Sequence, residues 1–454
     1  MAIADPMPVL TEAEQAARLA VLAESGSRIL VGSVVDMAGV ARAKTVPVRR
    51  AASFHVAGMG AAPTWNVFCI DNAIAFTDRL GVVGDLRLRA DLTGLRVLGD
   101  GYAWAPAEFF DQEGAPAAGC ARGRLRGLQA RAEAAGLGVL VGGELEFVLT
   151  GADGEALRGG RWQAYGLGSV FEAEAVLVDL LGALEQAGLA VEQLHAEYGA
   201  GQYELSLGPA APIEAADQVV LARLVIGRVA RRHGLRASFS PLPFHDGAGN
   251  GAHQHLSLRE RDAPLLSGGS GPWGLTAQGE AALAGIVTGL PELLGVFAGS
   301  VLSASRLQPG HWSGAFACWG LENREAAVRF CAATAGNPHG ASIELKCADP
   351  SANPYLAVAA LLGLALDGMA RSVALPAEVR DDPAALQGTP GRPERLPGTQ
   401  AATLDALSAS ALARRILGEE IVEALLAVRR HEQRVYADSK LDELAERFRY
   451  AWSC

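Results

Sequence analysis

Two glutamates that lie two residues apart in an apolar stretch constrain this chain more than any other feature. The segment Gly143–Phe147 reads GELEF, and Val139–Leu149 around it is typical of a β-strand. Residues i and i+2 of a strand share a face, so the carboxylates of Glu144 and Glu146 lie side by side. They repel each other unless a cation lies between them. The alternative is a strand whose polar face meets solvent.

Three further segments carry polar residues at strand-like spacing: His195–Glu204 has two acids and an amide, Gly247–Ser257 has two histidines, and Ser342–Lys346 has an acid and a lysine. The polar residues that they offer to one face are Glu197, Gln202, Glu204, His253, His255, Glu344 and Lys346. Three glycines precede the two histidines, which favours a backbone that approaches a ligand closely. Taken singly, the segments also fit an exposed hairpin, a structural histidine pair and a solvated alternation of charges.

A fifth segment carries arginines that can bind carboxylate or phosphate oxygens through two parallel hydrogen bonds: Arg306, Arg324 and Arg329. Surface arginines are the alternative. Considered together with the acidic segments, five glutamates and one histidine form a hard, oxygen-rich ligand set that suits Mg²⁺ or Mn²⁺ better than Zn²⁺. Six ligands exceed what one partly hydrated Mg²⁺ takes from protein, so two ions are expected. With the arginines, they would form a phosphoryl-transfer site.

Composition excludes several other classes of protein. A length of 454 residues, of which 50% are hydrophobic, predicts two or more packed domains. The net charge of −11 argues against nucleic acid or an anionic membrane as a partner. The six cysteines show no CxxC pair, so neither a zinc site nor a disulfide framework is expected. The sequence also lacks the phosphate-binding motif GxxxxGK[ST] and the hydrolase motifs GxSxG and HExxH.

The chain start shows no basic region followed by an apolar core, so we expect no signal peptide. Charged residues or a proline interrupt the two most apolar stretches, Ala281–Ser305 and Pro354–Ala370, so we expect no membrane span and a cytoplasmic protein.

The pattern of apolar residues predicts an α+β fold with a small N-terminal domain and a large second domain. The expected strands are Arg28–Val35, Lys44–Val48, Val82–Ala90, Leu95–Leu98 and Val139–Leu149. The expected helices are Thr11–Glu24, Arg122–Ala135, Phe171–Ala187, Ala215–His233, Gln278–Ala298, Pro354–Ala370 and Ala411–Ala437. The segment Gly101–Ala118 is rich in proline, glycine and aromatic residues, and we place the domain boundary within it, between residues 1–112 and 113–454.

The ordered motifs ELEF, ExxxGQxE, GAHQHLS, SRLxPG, NRxxxxR, IExK and DPSANPYLAVAALLGLALDGM resemble those of the glutamine synthetase superfamily. The N-terminal segment VVDMAGVARAKTVP extends the resemblance over nearly the whole chain. The resemblance implies a β-grasp N-terminal domain, a glutamine synthetase-type catalytic domain and a homo-oligomer, a dodecamer of two hexameric rings. It also implies ATP-dependent phosphorylation of the glutamate γ-carboxylate, followed by attack of an amine.

The same resemblance implies a role for each residue that matches a motif. One metal would be bound by Glu146, Glu197 and Glu204, and the other by Glu144, His253 and Glu344. Glutamate would be bound by Gln202, Gly249, Arg306 and Lys346. ATP and its phosphates would be bound by His255, Ser257, Arg324 and Arg329, with Arg306 and Arg324 as catalytic residues.

Four departures from the family pattern concern the second substrate and its regulation. Trp312 replaces the acidic residue that follows the PG of the arginine loop, and the stretch Gly60–Trp65 lacks the acid that binds ammonium in the ammonia-using enzymes. Lys346 replaces the usual arginine, and the loop after the ANPYL helix has no tyrosine, so we expect no adenylylation switch. These departures resemble ligases that join glutamate to polyamines, ethanolamine or alkylamines. The alternatives are a glutamine synthetase that uses ammonia and a non-catalytic regulatory homologue.

Overall fold

Two β-sheets organise the chain, and a computed structural model describes residues 7–157 and 162–454. The strands are β1 (Ile29–Val35), β2 (Ala41–Pro47), β3 (Met59–Ala61), β4 (Leu86–Ala90), β5 (Arg96–Gly99), β6 (Tyr102–Phe110), β7 (Leu137–Thr150), β8 (Val191–Ala196), β9 (Gln202–Ala210), β10 (Arg236–Ser238), β11 (Gln254–Glu260), β12 (Ala263–Pro264), β13 (Phe316–Leu321), β14 (Ala326–Cys331), β15 (Ser342–Leu345) and β16 (Glu394–Arg395).

Helices pack around both sheets. They are α1 (Glu12–Glu24), α2 (Ala51–Val56), α3 (Ala121–Ala134), α4 (Leu167–Phe171), α5 (Glu174–Gln186), α6 (Pro212–Arg232), α7 (Ala277–Phe297), α8 (Ser303–Arg306), α9 (Pro354–Arg371), α10 (Gln400–Ala409), α11 (Ala411–Leu417), α12 (Glu419–Val435) and α13 (Leu441–Phe448). The α+β class is therefore confirmed.

The first sheet has the order β2-β1-β6-β4-β3, with β5 paired to β6. Its central strand, β6, lies inside Gly101–Ala118, the segment within which we place the domain boundary. The proline, glycine and aromatic content of this segment did not reveal the strand Tyr102–Phe110, in which Trp104 and the small residues around it are buried. The Trp104 indole N–H donates to Ser33 Oγ on β1 over 2.8 Å, which ties β6 into the sheet. The division into residues 1–112 and 113–454 stays a prediction, with α3 starting ten or so residues after β6 ends.

The second sheet has ten strands in the order β16-β13-β14-β15-β11-β7-β9-β8, with β10 and β12 paired at its margins. The pairs from β14 to β8 are antiparallel. An antiparallel register fixes which residues of neighbouring strands lie opposite each other, so it determines which polar side chains meet on one face.

Helices α7 and α9 are long and apolar enough to cross a membrane, but 78% and 72% of their most apolar windows are buried inside the protein. They pack against each other in the main core, which is typical of a soluble protein's central helices. Asn353 starts α9, since its side chain accepts hydrogen bonds from the N–H groups of Tyr355 and Leu356.

Most predicted helices are observed with shifts of a few residues at their ends. The exception is Ala411–Ala437, predicted as one helix, which is divided into α11 and α12 at Gly418. Gly418 has a φ of 88°, a conformation that an α-helix cannot contain. The predicted helix Phe171–Ala187 likewise begins at Glu174, after the short helix α4.

Candidate active site

Six adjacent strands of the second sheet, β8, β9, β7, β11, β15 and β14, bring the acidic and basic segments together. Glu146 on β7 lies opposite Glu204 on β9, and His255 on β11 lies opposite Glu344 on β15. Arg329 on β14 follows Glu344 in the same row. Segments more than 180 residues apart in the chain therefore form one polar surface.

The first group of possible metal ligands is Glu144, His253 and Glu344, whose donor atoms all lie within 4.8 Å of one another. His253 Nδ1 is 3.2 Å from Glu144 Oε2 and 3.7 Å from Glu344 Oε1. His253 and Glu344 are buried, while Glu144 is partly exposed. These are the three residues that the motif resemblance assigns to one metal.

The other possible ligands form two overlapping groups that share Glu204. Glu146, Glu204 and His253 have donor atoms within 4.8 Å, and so do His195, Glu197 and Glu204. The predicted set of Glu146, Glu197 and Glu204 is thus distributed over both groups. His195 was not predicted as a ligand. It lies near the end of β8, opposite Glu204 on β9, and its Nε2 is 3.3 Å from Oε1 of Glu197, which directly follows the strand.

The clustered carboxylates shift one another's pKa. Burial and the negative charges of Glu144, Glu146 and Glu197 raise the pKa of Glu204 well above its ordinary value. Burial also opposes ionisation of Glu144, but its hydrogen bonds to His253 and His255 outweigh burial and lower its pKa. A carboxyl that resists ionisation beside ionised neighbours is typical of a site that a cation would neutralise.

Positive groups border the carboxylates on the β15 side. Glu344 accepts hydrogen bonds from Lys346 Nζ at 3.2 Å and from Arg329 Nη1 at 3.0 Å. Although its burial opposes ionisation, the charges of Lys346 and the two histidines lower the pKa of Glu344. The carboxylate and imidazole donors together fit a hard divalent cation, and the soft thiolates that zinc often takes are missing from these three groups.

The residues predicted to bind glutamate lie next to the cluster. Gln202 Nε2 donates to Glu146 Oε2 and to the carbonyl of Gly249, both over 2.9 Å. Arg306 is buried, and its guanidinium donates to the carbonyls of Lys346 and Cys347 at 3.3 Å each. Arg306 Nη2 is also 3.5 Å from His253 Nε2, so this arginine adjoins both the metal ligands and Lys346.

Gly251 is a residue of this site that the sequence did not single out from the neighbouring glycines. Its N–H donates to Glu146 Oε2 over 2.8 Å. A Cβ built there would lie 2.5 Å from His253 Nε2, 2.8 Å from Arg306 Nη2 and 2.9 Å from Glu146 Oε1. The glycine-rich segment does allow close approach, as expected, and what approaches Gly251 in the structure is a set of site side chains.

The residues predicted to bind ATP occupy the other end of the surface. His255 bridges Glu144 Oε1 at 3.2 Å and Ser342 Oγ at 3.1 Å. Ser257 lines a cavity of about 150 Å³, together with residues that include Arg259 and His339. Arg329 is connected to this region by the hydrogen bond that its Nη1 donates to Glu344. Arg324 lies exposed between β13 and β14. Within residues 7–157 and 162–454 its side chain makes no hydrogen bond or salt bridge, so its role stays a prediction.

Trp312 lies on an exposed loop and is itself 56% exposed. Its backbone N–H donates to Glu325 Oε1 over 2.8 Å, and the N–H of Gly310 donates to Glu325 Oε2 over 3.2 Å. Glu325, from the neighbouring turn, therefore holds the backbone of the loop in place, while the indole ring of Trp312 stays exposed.

Comparisons with known proteins agree with this geometry. The family model described as "Glutamine synthetase, catalytic domain" matches residues 118–445. The gamma-glutamylpolyamine synthetase GlnA3 of Streptomyces coelicolor is 40% identical over 443 residues, which cover 94% of this chain and 95% of that protein. A glutamine synthetase of Methanocaldococcus jannaschii is 30% identical over 369 residues, which cover 77% of this chain and 79% of that enzyme.

Solved structures show the same fold. A crystal structure described as a novel glutamine synthase homolog has a TM-score of 0.84 and 32% identity, and covers 94% of this chain and 98% of that one. The GmaS/ADP complex has a TM-score of 0.82 and 28% identity, with the same coverage. Glutamine synthetases are ATP-dependent ligases that use divalent metals. On the family match, the identities and the carboxylate-rich sheet surface, this chain belongs to the glutamine synthetase family.

Proposed function

We propose that the protein joins the γ-carboxylate of glutamate to an amine larger than ammonia, with ATP converted to ADP and phosphate. A polyamine, ethanolamine or another alkylamine is the expected acceptor. The observation that carries this proposal is the surface on which three overlapping groups of metal donors adjoin a buried arginine and lysine. The 40% identity to a gamma-glutamylpolyamine synthetase supports the choice of acceptor.

Two ions of Mg²⁺ or Mn²⁺ fit the donor groups. Glu144, His253 and Glu344 would hold one ion, and Glu146, Glu197 and Glu204 the other, with His195 beside Glu197 and Glu204. Bound divalent ions would neutralise charge that develops on the phosphate oxygens. The carboxylates would hold the ions in place, and the hydrogen bonds from Gln202 and Gly251 fix the orientation of Glu146.

Glutamate and ATP would meet across this surface. Arg306 and Gln202 would orient glutamate from one side, with Gly249 and Lys346 completing its site. His255 and Ser257 would bind the nucleotide from the other side, and Arg324 and Arg329 its phosphates. The γ-carboxylate oxygen then attacks the γ-phosphorus and ADP leaves. The neutral amine nitrogen attacks the resulting acyl phosphate, phosphate leaves, and the amine gives up a proton.

The acceptor preference rests on Trp312 and the stretch 60–65. Ammonium is a small, strongly hydrated cation whose capture and deprotonation call for acids. Residues 60–65 contain no acid, and Trp312 supplies an exposed aromatic face, which attracts an alkylammonium by about 0.5–2 kcal/mol. Both features favour an amine with a carbon chain.

A panel of amines tests this proposal directly. Phosphate release is measured with glutamate, ATP and Mg²⁺ against polyamines, ethanolamine, alkylamines and ammonium, and each product is identified by mass spectrometry. The proposal predicts a γ-glutamyl amide with at least one organic amine. Turnover confined to ammonium would identify a glutamine synthetase, and failure with every amine would identify the regulatory homologue.

A further inference from the structure

Three buried side chains beneath the active-site strands each carry a polar atom without a hydrogen-bond partner. They are Arg223 on α6, Gln254 on β11 and Asp349 before α9, with 5%, 8% and 0% of their surfaces exposed. Arg223 Nε, Gln254 Oε1 and Asp349 Oδ2 have no partner within the described residues 7–157 and 162–454. A buried polar atom without a partner is costly, and bound water satisfies many such atoms in folded proteins.

The same three residues line one small cavity. It lies between the sheet and helices α6 and α9, has a volume of about 20 Å³, and is otherwise lined largely by apolar side chains such as Val141, Val219 and Val358. A cavity holds a water molecule when it offers about 10–15 Å³ and two to four polar partners. This cavity meets both conditions for one water.

The unpaired atoms also match the hydrogen-bonding capacity of water. Arg223 Nε is a donor, and Gln254 Oε1 and Asp349 Oδ2 are acceptors, whereas water has two hydrogens to donate and lone pairs to accept. The opposite charges of Arg223 and Asp349 suit a neutral molecule that accepts from one and donates to the other. We propose that the cavity binds a single water molecule, which accepts from Arg223 and donates to Gln254 and Asp349.

This water would position β11, the strand that contains His255 and directly follows His253. Gln254 lies between His253 and His255, and the cavity is also lined by Glu144 and His253. Asp349 is anchored independently, since its N–H donates to the carbonyl of Phe297 at the end of α7. The water therefore links Gln254, the first residue of β11, to helix α6 and to the segment before α9, directly after the proposed metal ligand His253. Gln254 is a positioning residue in this account.

A high-resolution crystal structure of the unmodified protein tests the water itself. The expected result is one density peak within hydrogen-bonding distance of Arg223 Nε, Gln254 Oε1 and Asp349 Oδ2. A cavity without density, or a direct ion pair between Arg223 and Asp349 that closes it, would overturn the proposal. This result is independent of which amine the enzyme uses, so it separates this proposal from the proposed function.

Calorimetric titration of Mn²⁺ without substrates tests the positioning role. Gln254→Met keeps the length of the side chain and removes the acceptor, and we expect Mn²⁺ to bind about tenfold or more weakly. Gln278→Met makes the same substitution at an exposed position of α7 and should leave affinity unchanged. Gln254→Glu retains an acceptor and should restore most of the affinity. Equal affinity in Gln254→Met and the unmodified protein would contradict the positioning role.

Discussion

At the scale of single residues, Glu204 links the proposed metal site to the ionisation of its carboxylates. Its donor atom belongs to two of the three ligand groups, and burial and neighbouring carboxylates raise its pKa. The raised pKa favours the protonated form of Glu204 in the metal-free protein, and a bound cation displaces that proton. Since metal and proton compete for the same oxygen, metal affinity should rise as the pH rises towards that pKa.

The proton is measurable. Titration of Mn²⁺ by calorimetry in buffers with different ionisation enthalpies should show about one proton released per site, and Glu204→Gln should abolish most of that release. We also expect Glu204→Ala to remove catalysis, because the site then lacks a shared ligand. Exposed Glu192→Gln on β8 is the matched control. Proton release that is unchanged in Glu204→Gln would contradict the assignment.

Substitution of Arg306 tests whether this residue binds glutamate. Arg306→Lys keeps the charge but loses the planar pair of donors that reaches the carbonyls of Lys346 and Cys347. A hydrogen bond that involves a charge contributes about 1.5–3 kcal/mol, so the KM for glutamate should rise tenfold or more. The measurement is steady-state kinetics at saturating ATP and amine. A KM for glutamate equal to that of the unmodified enzyme would assign this arginine another role.

At the scale of elements, the loop before β11 packs so closely against the active-site side chains that it should not tolerate a larger residue at Gly251. Gly251→Ala would place a methyl group within 2.5 Å of His253 Nε2 and 2.8 Å of Arg306 Nη2, so these side chains must move. We expect the variant to lose metal binding and turnover while its far-UV circular dichroism stays native. Gly182→Ala, at an exposed position of helix α5 with nothing within 4 Å of the added Cβ, should instead stabilise the protein by about 0.5–1 kcal/mol. Normal Mn²⁺ affinity in Gly251→Ala would show that the loop tolerates a Cβ.

The alternation of polar and apolar residues predicted the elements of the active site well. The strand around Glu144 and Glu146 and the strand after His253 are observed with only small shifts. The sequence could not reveal His195 as a neighbour of Glu204, because that contact depends on the register between β8 and β9. Register is set by pairing across the sheet, which local spacing does not encode.

The sequence left two features at this scale unpredicted. The content of proline, glycine and aromatic residues in Gly101–Ala118 indicated a domain boundary and did not reveal that Tyr102–Phe110 is the central strand of the first sheet. The apolar run after residue 411 indicated one helix, yet Gly418, with a φ of 88°, divides it. The strand depends on pairing across the sheet, whereas the helix break comes from the conformation of a single glycine.

At the scale of the whole molecule, the family resemblance predicts an oligomer. Val82 and Val83 on one exposed loop and Leu167 and Phe171 on α4 are large apolar residues that remain exposed in the single chain. We expect contacts with neighbouring chains to cover them in the oligomer. We predict a native mass twelve times the 47.1 kDa of the chain, measured by light scattering coupled to gel filtration. A single species at the mass of one chain would contradict the predicted dodecamer.

The central claim is that this member of the glutamine synthetase family uses an organic amine in preference to ammonia. The most direct test is the ratio of kcat/KM for the best organic amine to kcat/KM for ammonium, measured on the unmodified protein with saturating glutamate, ATP and Mg²⁺. We predict a ratio well above one, and a smaller ratio in Trp312→Glu, because that substitution removes the aromatic face that attracts an alkylammonium and adds an acid that favours the hydrated ammonium ion. A ratio below one in the unmodified protein would identify a glutamine synthetase and contradict the proposed preference for an organic amine.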